Sequence, residues 1–584
     1  MRKHEEMRPA RRPIRGIAVM LFIALFLVTG GTNLAQPVVW TEQTVLDDAP
    51  PPLAEQGPAA GEFTEAWRTS LTLPESARFA LAGSNIVTGT QDEVFALDAR
   101  TGEPTWRYRE PERKIGSWAT TSGTVVIGSS GKAGKHELNH LVGLDAETGR
   151  ILWEQDNSSS IDPQDMNFGG SVILGGEATN NVIVVDDGDS RKRGIEARTG
   201  ETLWSLSADD LPDDCVLSPN DMWEFSGKPL MLTIDCPEGD DARSRYGAVA
   251  AASGKPLWLS DKNDTDFFAM RNGLGVRVGP GRPPVLLGRD GDELFTASEA
   301  KSRCPCAVLE GEDSILLGYR SADDKGTSTV GRIVEIGPEG HVNPVAELPE
   351  FQPFQLYTAT DERMYSVAAV RPDLSEQPYL PVAAPLLLTT IDKNGDVEHS
   401  TLPTAIAGYT EQKWFAAAGD QVFLATLNND GGETIVHSYS RTGEADPAAP
   451  GGIDFAAWPD ACALLSGIPE RGPYPPPGQE VSVGDVVLPP TTCVGSAELR
   501  HVVTLDVVWV ARSEDEAAKL LTDVGADIGF GSGQEADQEY DDGTGKVLLR
   551  AGAVIVAVTV DDVIDEAGRE SILRDVVTNL RELG

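Results

Sequence analysis

The chain has little positive charge for its size. Its 584 residues contain 48 lysines and arginines against 91 aspartates and glutamates, so the formal net charge is −43. A body this acidic is unsuited to binding nucleic acid or anionic lipid surfaces. We attribute the acidity to a solvated, self-repelling surface, because acidic clusters such as Asp186–Asp189 do not match the twelve-residue calcium loop.

Motifs that would identify an enzyme are also lacking. Only seven histidines occur, and the pair His136 and His140 falls in a Gly- and Lys-rich hairpin loop, where a spacing of four does not create a metal site. The sequence has no Gly-x-Ser-x-Gly elbow. The loop Gly128–Lys135 misses the phosphate-binding spacing by one residue and precedes a strand. We therefore expect neither catalytic residues nor a metal site.

Long apolar runs are absent, with one exception near the N-terminus. Six cationic residues precede the run that starts at Ile17, which predicts that the N-terminus is cytoplasmic and the body lies outside. Extended from Ile17 to Ala35, the run reaches 19 residues, which can span a bilayer. We expect a single-pass protein of the cell membrane, with a cleaved signal peptide as the alternative. The predicted segments are a tail (1–15), a transmembrane signal anchor (16–36) and a Pro-rich spacer (37–61).

Cysteine is scarce, with six residues in the whole chain. Cysteines of an exported chain tend to form disulfides. Cys215 opens one apolar run and Cys236 closes the next, so a hairpin between the runs would bring the two together. Cys304 and Cys306 are separated by one residue, and both a strained local disulfide and two separate thiols fit that spacing.

The sequence does contain a repeated motif, here called the phrase, which ends in tryptophan. In every copy a glycine lies four residues before the tryptophan, and successive tryptophans are 47, 51 and 54 residues apart. This period is typical of propeller blades. An apolar run, a polar turn with glycine at positive φ and a second strand explain the phrase. The four copies are Val94–Trp106, Leu141–Trp153, Gly194–Trp204 and Tyr246–Trp258.

Three kinds of residue in the phrase form the candidate structural site. A carboxylate four residues before the glycine can accept hydrogen bonds from turn N–H groups. The tryptophan offers a flat surface that can pack between one sheet and the next. The predicted docking residues are Trp67, Asp98, Gly102, Trp106, Asp145, Gly149, Trp153, Glu196, Gly200, Trp204, Gly254 and Trp258.

These segments resemble the tryptophan-docking repeats of pyrroloquinoline-quinone-type (PQQ-type) β-propellers. Degenerate copies of the strand and glycine turn raise the number of blades to eight, with seven as the alternative because the copy near Gly291 is the poorest. We predict a mainly β chain with this propeller over residues 62–450. The last copy has Pro447 where a tryptophan belongs, and the Trp67 strand has no turn before it. The Trp67 strand should therefore complete the last blade and remove an open edge.

A small α+β domain is predicted over residues 453–584. We expect one strand over Val547–Val558 and a closing helix over Glu570–Leu583. The segment around Cys462, the later Cys493 and the order of elements resemble a family of small actinobacterial envelope lipoproteins. That resemblance implies the cell envelope as the compartment and a disulfide between Cys462 and Cys493.

The resemblance to PQQ-type propellers implies two alternative functions. Quinoprotein dehydrogenases of this kind bind PQQ on the ring axis against a tryptophan, with calcium and a catalytic aspartate. Residues 62–450 leave little room for the insertions that those enzymes carry, and the chain has no adjacent cysteine pair. We therefore expect a membrane-anchored extracytoplasmic binding or scaffold protein without a cofactor. Its expected partners are the membrane, through the N-terminal helix, and other envelope proteins or a ligand. A PQQ- and calcium-dependent dehydrogenase is the alternative.

Overall fold

A computed structural model describes residues 42–583, apart from connecting segments. The gaps of six or more residues are 158–171, 218–229, 260–265, 279–284, 297–306, 323–328, 349–355, 370–385, 403–409, 442–457, 475–481 and 524–537, and some strand residues are described by their backbone alone. The predicted tail and anchor, residues 1–36, lie outside the described part, as do Cys304 and Cys306. Within the described part, no helix is long and apolar enough to cross a membrane.

Two strands precede the first repeat, and the described residues up to Ser440 form eight antiparallel sheets, one of five strands and seven of four. The two leading strands are β1 (Glu42–Thr44) and β2 (Thr64–Thr72). Blade 1 contains β3 (Phe79–Ala82), β4 (Asn85–Gly89), β5 (Glu93–Asp98) and β6 (Pro104–Arg109). Blade 2 contains β7 (Lys114–Thr120), β8 (Thr124–Ala133), β9 (His136–Asp145) and β10 (Ile151–Asn157). Blade 3 contains β11 (Val172–Gly176), β12 (Val182–Asp186), β13 (Lys192–Glu196) and β14 (Thr202–Leu206), followed by a 3-10 turn at Ala208–Asp210.

The later blades repeat the same four-stranded meander. Blade 4 contains β15 (Val216–Leu217), β16 (Leu230–Glu238), β17 (Asp241–Val249) and β18 (Pro256–Leu259). Blade 5 contains β19 (Asp266–Ala269), β20 (Gly275–Val278), β21 (Val285–Leu287) and β22 (Glu293–Thr296). Blade 6 contains β23 (Ala307–Glu310), β24 (Ile315–Ala322), β25 (Thr329–Ile336) and β26 (Val342–Leu348). Blade 7 contains β27 (Leu356–Ala359), β28 (Arg363–Ala369), β29 (Leu386–Asp392) and β30 (Val397–Leu402).

The last blade takes its fourth strand from the beginning of the chain. Its first three strands are β31 (Thr410–Ala418), β32 (Gln421–Asn428) and β33 (Glu433–Ser440), and β2 pairs antiparallel with β33. The prediction that the Trp67 strand completes the last blade is therefore confirmed. The described residues form eight blades of a β-propeller, and the copy near Gly291 forms one of them.

First strands surround the axis and fourth strands lie at the rim. The first strands of neighbouring blades approach one another, as β7 and β11 do, and likewise β27 and β31. The middle strands are covered on both faces, and every residue of β4 is buried. Apolar side chains of neighbouring sheets share one core, in which Trp106 and Tyr108 of blade 1 meet Val142 and Leu144 of blade 2. Sheets buried on both faces need such continuous apolar strands.

The segment before β2, which we call the N-terminal strap (residues 42–61), lies on the blades. Strand β1 pairs antiparallel with β6 and adds a fifth strand to blade 1. Further along, the N–H of Gly419 donates to the carbonyl of Ala54 at 2.8 Å, and the Tyr365 hydroxyl donates to the carbonyl of Pro58 at 3.0 Å. The sequence indicates a free spacer over 37–61, whereas the described residues of the strap contact blades 1, 2, 7 and 8.

Residues 458–583 form a separate α+β core around a six-stranded antiparallel sheet. The predicted single strand Val547–Val558 is wrong, because a turn with Gly552 at φ +60 divides it into two strands. Only glycine enters that region without strain. In chain order the elements are α1 (Ala461–Leu464), β34 (Arg471–Tyr474), β35 (Ser482–Val483), β36 (Val486–Val487), β37 (Thr492–Ala497), β38 (Arg500–Val510), α2 (Glu514–Asp523), β39 (Gln538–Asp541), β40 (Lys546–Ala551), β41 (Val554–Val560) and α3 (Glu566–Leu583).

Candidate binding surface on the outer strands

The turn between the third and fourth strand of a blade, here called the docking turn, has the same glycine hydrogen bond in blades 1 to 4 and a carboxylate four residues before the glycine in blades 1 to 3. Its glycine N–H donates back four residues, for example from Gly149 to the carbonyl of Asp145 at 2.8 Å. The carboxylate accepts from the turn, as Asp98 does from the N–H of Arg100 at 2.7 Å. Asp145 and Glu196 accept in the same way, from the N–H of Thr148 and Thr199. These bonds hold the glycine carbonyl and the next residue in fixed positions.

Each docking tryptophan packs on the glycine of the following blade, not on the glycine of its own repeat. A Cβ added to Gly149 would lie 2.6 Å from Trp106, so only a glycine leaves room for the ring. The indole of Trp106 donates to the carbonyl of Ala146 at 2.9 Å, in the same turn. The tryptophan and glycine pairs are Trp67 with Gly102, Trp106 with Gly149, Trp153 with Gly200, Trp204 with Gly254, and Trp258 with Gly291.

Sequence reasoning missed the small residue that faces each tryptophan across the sheet. A Cβ on Gly143 or Gly194 would collide with Trp153 or Trp204 of the same blade. This residue lies on the third strand, one or two places before the last residue of that strand, and the aligned copies of the repeat show the position. The paired positions are Ala96, Gly143, Gly194, Ala248 and Ser438.

The buried carboxylate of Glu110 is the centre of a polar cluster between blades 1 and 2. It accepts a hydrogen bond from the Tyr108 hydroxyl and one from Ser129 at 2.9 Å, and His140 Nδ1 lies 3.1 Å away. Arg113 approaches within 3.5 Å. Burial opposes the charged form, but these hydrogen bonds outweigh it and lower the pKa of Glu110. The Glu110 carboxylate is held by three side chains of the cluster, which fits a packing role.

A second buried pair of a histidine and a carboxylate joins β2 to β33 in the last blade. His437 Nδ1 lies 2.6 Å from the carboxylate of Glu65, and both side chains are 2% exposed. Among the side chains that the structure describes, no group of three His, Cys, Asp or Glu residues is arranged to hold a metal ion. The side chain of His136 lies outside those described, while His140 belongs to the Glu110 cluster.

The described cysteine side chains are all in disulfides. Cys462 and Cys493 are bonded to each other with their Cα atoms 5.0 Å apart. Cys215 is also disulfide-bonded. The side chain of Cys236 is not described, but the antiparallel register of β15 and β16, continued by one residue, places Cys215 opposite Cys236. The pairing of these two cysteines stays a prediction.

Exposed leucines occupy one equivalent position on three consecutive blades. Leu152, Leu203 and Leu257 are 36%, 41% and 53% exposed, and each immediately precedes a docking tryptophan. At this point the fourth strand carries one residue more than the third, so the extra residue turns away from the sheet. In blade 1 the same position holds Thr105, whose hydroxyl bonds within the blade.

The fourth strands that carry these leucines are open edges within the described residues. The strands β10, β14 and β18 each end their sheet, whereas β6 of blade 1 is covered by β1. An open edge presents unpaired N–H and C=O groups that can pair with another strand. Exposed apolar side chains on such edges are the features of an interaction surface. We define the edges β10, β14 and β18 with their leucines as the candidate binding surface.

A family model matches the first part of the propeller. Residues 59–214, which contain β2 and blades 1 to 3, match the family described as outer membrane protein assembly factor BamB. The described residues form a β-propeller, and residues 59–214 of it contain repeats similar to those of this family. No curated protein matches it in sequence.

Several solved structures are similar to the propeller at low identity. BamB from Moraxella catarrhalis is 12% identical over 65% of this chain and 99% of its own, with a TM-score of 0.35. The Dos1 propeller is 10% identical over 66% and 97%, with a TM-score of 0.37. A europium-containing methanol dehydrogenase is 13% identical over 62% and 81%, with a TM-score of 0.28. These superpositions are too loose to support an argument about function.

Proposed function

We propose that this protein is a membrane-anchored extracytoplasmic binding or scaffold protein, without chemistry of its own, that binds polypeptide partners at the outer strands of blades 2 to 4. The observation that carries the proposal is the recurrence of Leu152, Leu203 and Leu257 at one position on three open edges. A leucine repeated only for folding would be buried, as the neighbouring tryptophans Trp204 and Trp106 are.

The buried charged groups of the described residues support binding rather than catalysis. Glu110 and Glu65, the buried carboxylates of the two clusters, are each held by a histidine. The docking tryptophans are used between blades. The family that matches residues 59–214 is described as an assembly factor, and assembly is a binding activity. Fold alone does not decide function, so the proposal rests on the edges and their leucines.

The cellular placement in this proposal depends on the N-terminal sequence. The apolar run from Ile17 and the six cations before it support an anchor in the cell membrane, with the body outside. The resemblance of the C-terminal domain to envelope lipoproteins supports the same compartment. A reporter that is active only in the cytoplasm, fused after Gly584, tests the topology. Activity of that fusion would overturn the membrane placement and leave the binding surface unaffected.

Site-specific photo-crosslinking in cells tests the binding surface. A photoreactive residue at position 152, 203 or 257 should trap discrete partner polypeptides. The matched control is position 105, which is equivalent in sequence but belongs to the covered blade 1. The proposal fails if position 105 gives the same products in the same yield as the three leucine positions.

Replacing the three leucines by serine should weaken the trapped complexes. Burying a leucine side chain contributes about 1.5–3 kcal/mol, and because these are already partly buried we assign about 1 kcal/mol to each. The three together then correspond to a loss of about 100-fold in affinity for the partner. A binding isotherm with the purified partner measures it, and an unchanged dissociation constant would contradict the proposal.

A further inference from the structure

The strap shows how an outer edge of this propeller takes up an extended segment. Strand β1 pairs with β6 so that Gln43 lies opposite Tyr108. Its side-chain amide donates to the carbonyl of Gly149, in the docking turn of the next blade. Three residues later the N–H of Leu46 donates to Thr148, at 3.1 Å. The fourth strand of one blade and the docking turn of the next therefore form one seat for a strand.

The residue after the docking glycine also takes part in this seat. The Arg150 guanidinium donates to the carbonyl of Leu46 at 3.3 Å. A cation at this position can hold a backbone carbonyl of the added segment, whereas a carboxylate can accept but not donate. A cation after the docking glycine therefore favours an added strand at that seat, and an acidic residue disfavours it.

In two of the other seats the propeller itself supplies the donor to the glycine carbonyl. The glycine carbonyl accepts from a side chain two residues after the tryptophan, Thr69 to Gly102 at 3.0 Å and Gln155 to Gly200 at 2.6 Å. The residue after each of these glycines is acidic, Glu103 and Glu201. In blade 1 the corresponding residue, Tyr108, turns to Glu110 instead, which leaves Gly149 for Gln43.

The seat formed by blade 3 and the docking turn of blade 4 has the features of the occupied one. Two residues after Trp204 stands Leu206, a buried side chain that cannot donate a hydrogen bond. The carbonyl of Gly254 has no donor among the described residues, and the N–H of Gly254 makes the standard turn bond at 2.7 Å. The next residue is Lys255, an exposed cation in the place of Arg150.

We propose that the outer edge of blade 3, with Gly254 and Lys255 of the next docking turn, binds an extended segment of a partner protein by antiparallel strand addition. The segment places a glutamine or asparagine opposite Leu206, where its amide donates to the carbonyl of Gly254. Three residues later its backbone carbonyl accepts from Lys255. An apolar residue near that point meets the exposed Leu257. This inference rests on the proposed binding function and names the kind of partner.

A labelled peptide with the sequence of residues 40–48 is the probe, added to the whole chain solubilised with its own strap in place. We expect saturable binding with one site per chain, measured by fluorescence anisotropy. Backbone hydrogen exchange should slow at residues 202–206, because pairing protects amide groups at the new edge. The same peptide with Gln43→Leu should bind about tenfold more weakly, because one hydrogen bond to a carbonyl is lost.

Variants of the chain separate this seat from the others. Lys255→Glu, which copies Glu103 and Glu201, and Leu206→Gln, which supplies the donor that Gln155 supplies in blade 2, should each weaken binding about tenfold. Lys255→Glu alters an exposed side chain, so it tests the seat even if Leu206→Gln fails to fold. The control Lys114→Glu reverses an exposed cation on β7, away from the seats, and should leave peptide affinity unchanged.

Several results would overturn the inference. A peptide with N-methylated backbone amides that binds as well as the parent would show that no strand is added. Faster exchange at residues 42–44 would mean that the peptide had displaced β1. A dimer that dissociates when residues 42–46 are removed would assign the seat to a second copy of the chain. If position 203 traps a partner while the peptide does not bind, the proposed function stands and this inference fails.

Discussion

The indole nitrogen of Trp67 donates a hydrogen bond to the carbonyl of Ala99 at 3.0 Å and thereby joins the last blade to the first. The same ring packs on Gly102, in the docking turn of blade 1. The strand that carries Trp67 pairs with β33, and in that blade Glu65 contacts His437 across 372 residues of sequence. One strand near the start of the described chain therefore closes both the blade and the ring.

Trp67→Ala should destabilise the propeller by about 3–5 kcal/mol, as other buried aromatic truncations do. The substitution removes an indole that is 6% exposed, together with its bond to Ala99. Urea unfolding of the purified protein measures the loss. The control Arg68→Ala changes the exposed neighbour on the same strand and should have little effect. Equal unfolding midpoints for Trp67→Ala and the parent would show that ring closure does not depend on this contact.

The architecture of the ring could be predicted because its determinants repeat along the chain. The fixed interval between glycine and tryptophan reports a steric requirement, since the ring needs a residue without a Cβ beneath it. The same logic identified the Trp67 strand, which has the tryptophan but no turn of its own. The spacing between glycine and tryptophan did not reveal that each tryptophan packs on the glycine of the next blade.

The strap could not be predicted, because its contacts use backbone atoms. The carbonyls of Ala54, Gly57 and Pro58 accept hydrogen bonds from blades 7 and 8, and the side chains of such a segment carry no pattern. The prolines of the strap are equally typical of a free spacer. The open seat on blade 3 is also hidden in the sequence, because it depends on which side chains fail to cap a carbonyl. The hairpin within Val547–Val558 was missed because apolar residues continue through its turn.

Gly102→Ala should cost more stability than Gly395→Ala, although both glycines have positive φ, at +71 and +82. An alanine at either position pays the backbone strain of that region, about 1 kcal/mol. Only at Gly102 would the new Cβ also overlap Trp67, whereas the nearest atom to a Cβ at Gly395 is 3.7 Å away on Val345. Thermal unfolding of the two variants isolates the docking contact. Equal losses of stability in the two variants would show that the indole of Trp67 moves away from the new Cβ at no energetic cost.

Glu110→Gln should destabilise the protein at pH 7 by about 3 kcal/mol, because it removes the charge that faces the buried Arg113. Folding lowers the pKa of Glu110, so the stabilisation is present above the pKa of the unfolded carboxyl, about 4.3. It is lost as the pH falls through the lower value of the folded state. The difference in the free energy of unfolding between Glu110→Gln and the parent, here called the gap, should therefore narrow below about pH 4.

Urea unfolding at pH 7 and at pH 3.5 measures that gap. The control is Asp92→Asn, because the pKa of Asp92 is also lowered, by its hydrogen bond with Lys114, but both side chains are exposed. Exposed ion pairs contribute little to stability, so Asp92→Asn should have the same free energy of unfolding as the parent at both pH values. A gap for Glu110→Gln that widens on acidification would contradict the assignment.

Removing the Cys462–Cys493 disulfide should loosen the C-terminal domain and leave the propeller intact. The bridge closes a loop with a sequence separation of 31, for which the chain-entropy argument gives about 3–4 kcal/mol. The double change to alanine should speed hydrogen exchange across β37 and α1. Exchange in blades 1 to 3 serves as the internal control. Unchanged exchange in β37 would show that the apolar core around Leu505 and Val556 suffices without the bridge.

Deleting residues 42–58 should lower the melting temperature of the purified protein, because the strap contacts four blades on both sides of the ring closure. The deletion removes β1, the bond from Gly419 to Ala54 and the bond from Tyr365 to Pro58. Burial raises the pKa of Tyr365 to about 12, so its hydroxyl is neutral and acts as a donor across the working pH range. Each buried carbonyl or hydroxyl left without a partner costs about 1–3 kcal/mol.

Single substitutions separate the strap contact from a general effect of shortening the chain. Gly57→Ala should destabilise, because a Cβ there would overlap the Tyr365 hydroxyl, and Tyr365→Phe should cost about 1 kcal/mol through the lost bond to Pro58. The matched control is Gly472→Ala, where an added Cβ meets nothing within 4 Å. Calorimetry of the variants should rank them with the deletion lowest and Gly472→Ala equal to the parent. If the deletion and Gly57→Ala both melt with the parent, residues 42–58 are the free spacer that their composition indicates, and their contacts with the blades contribute no stability.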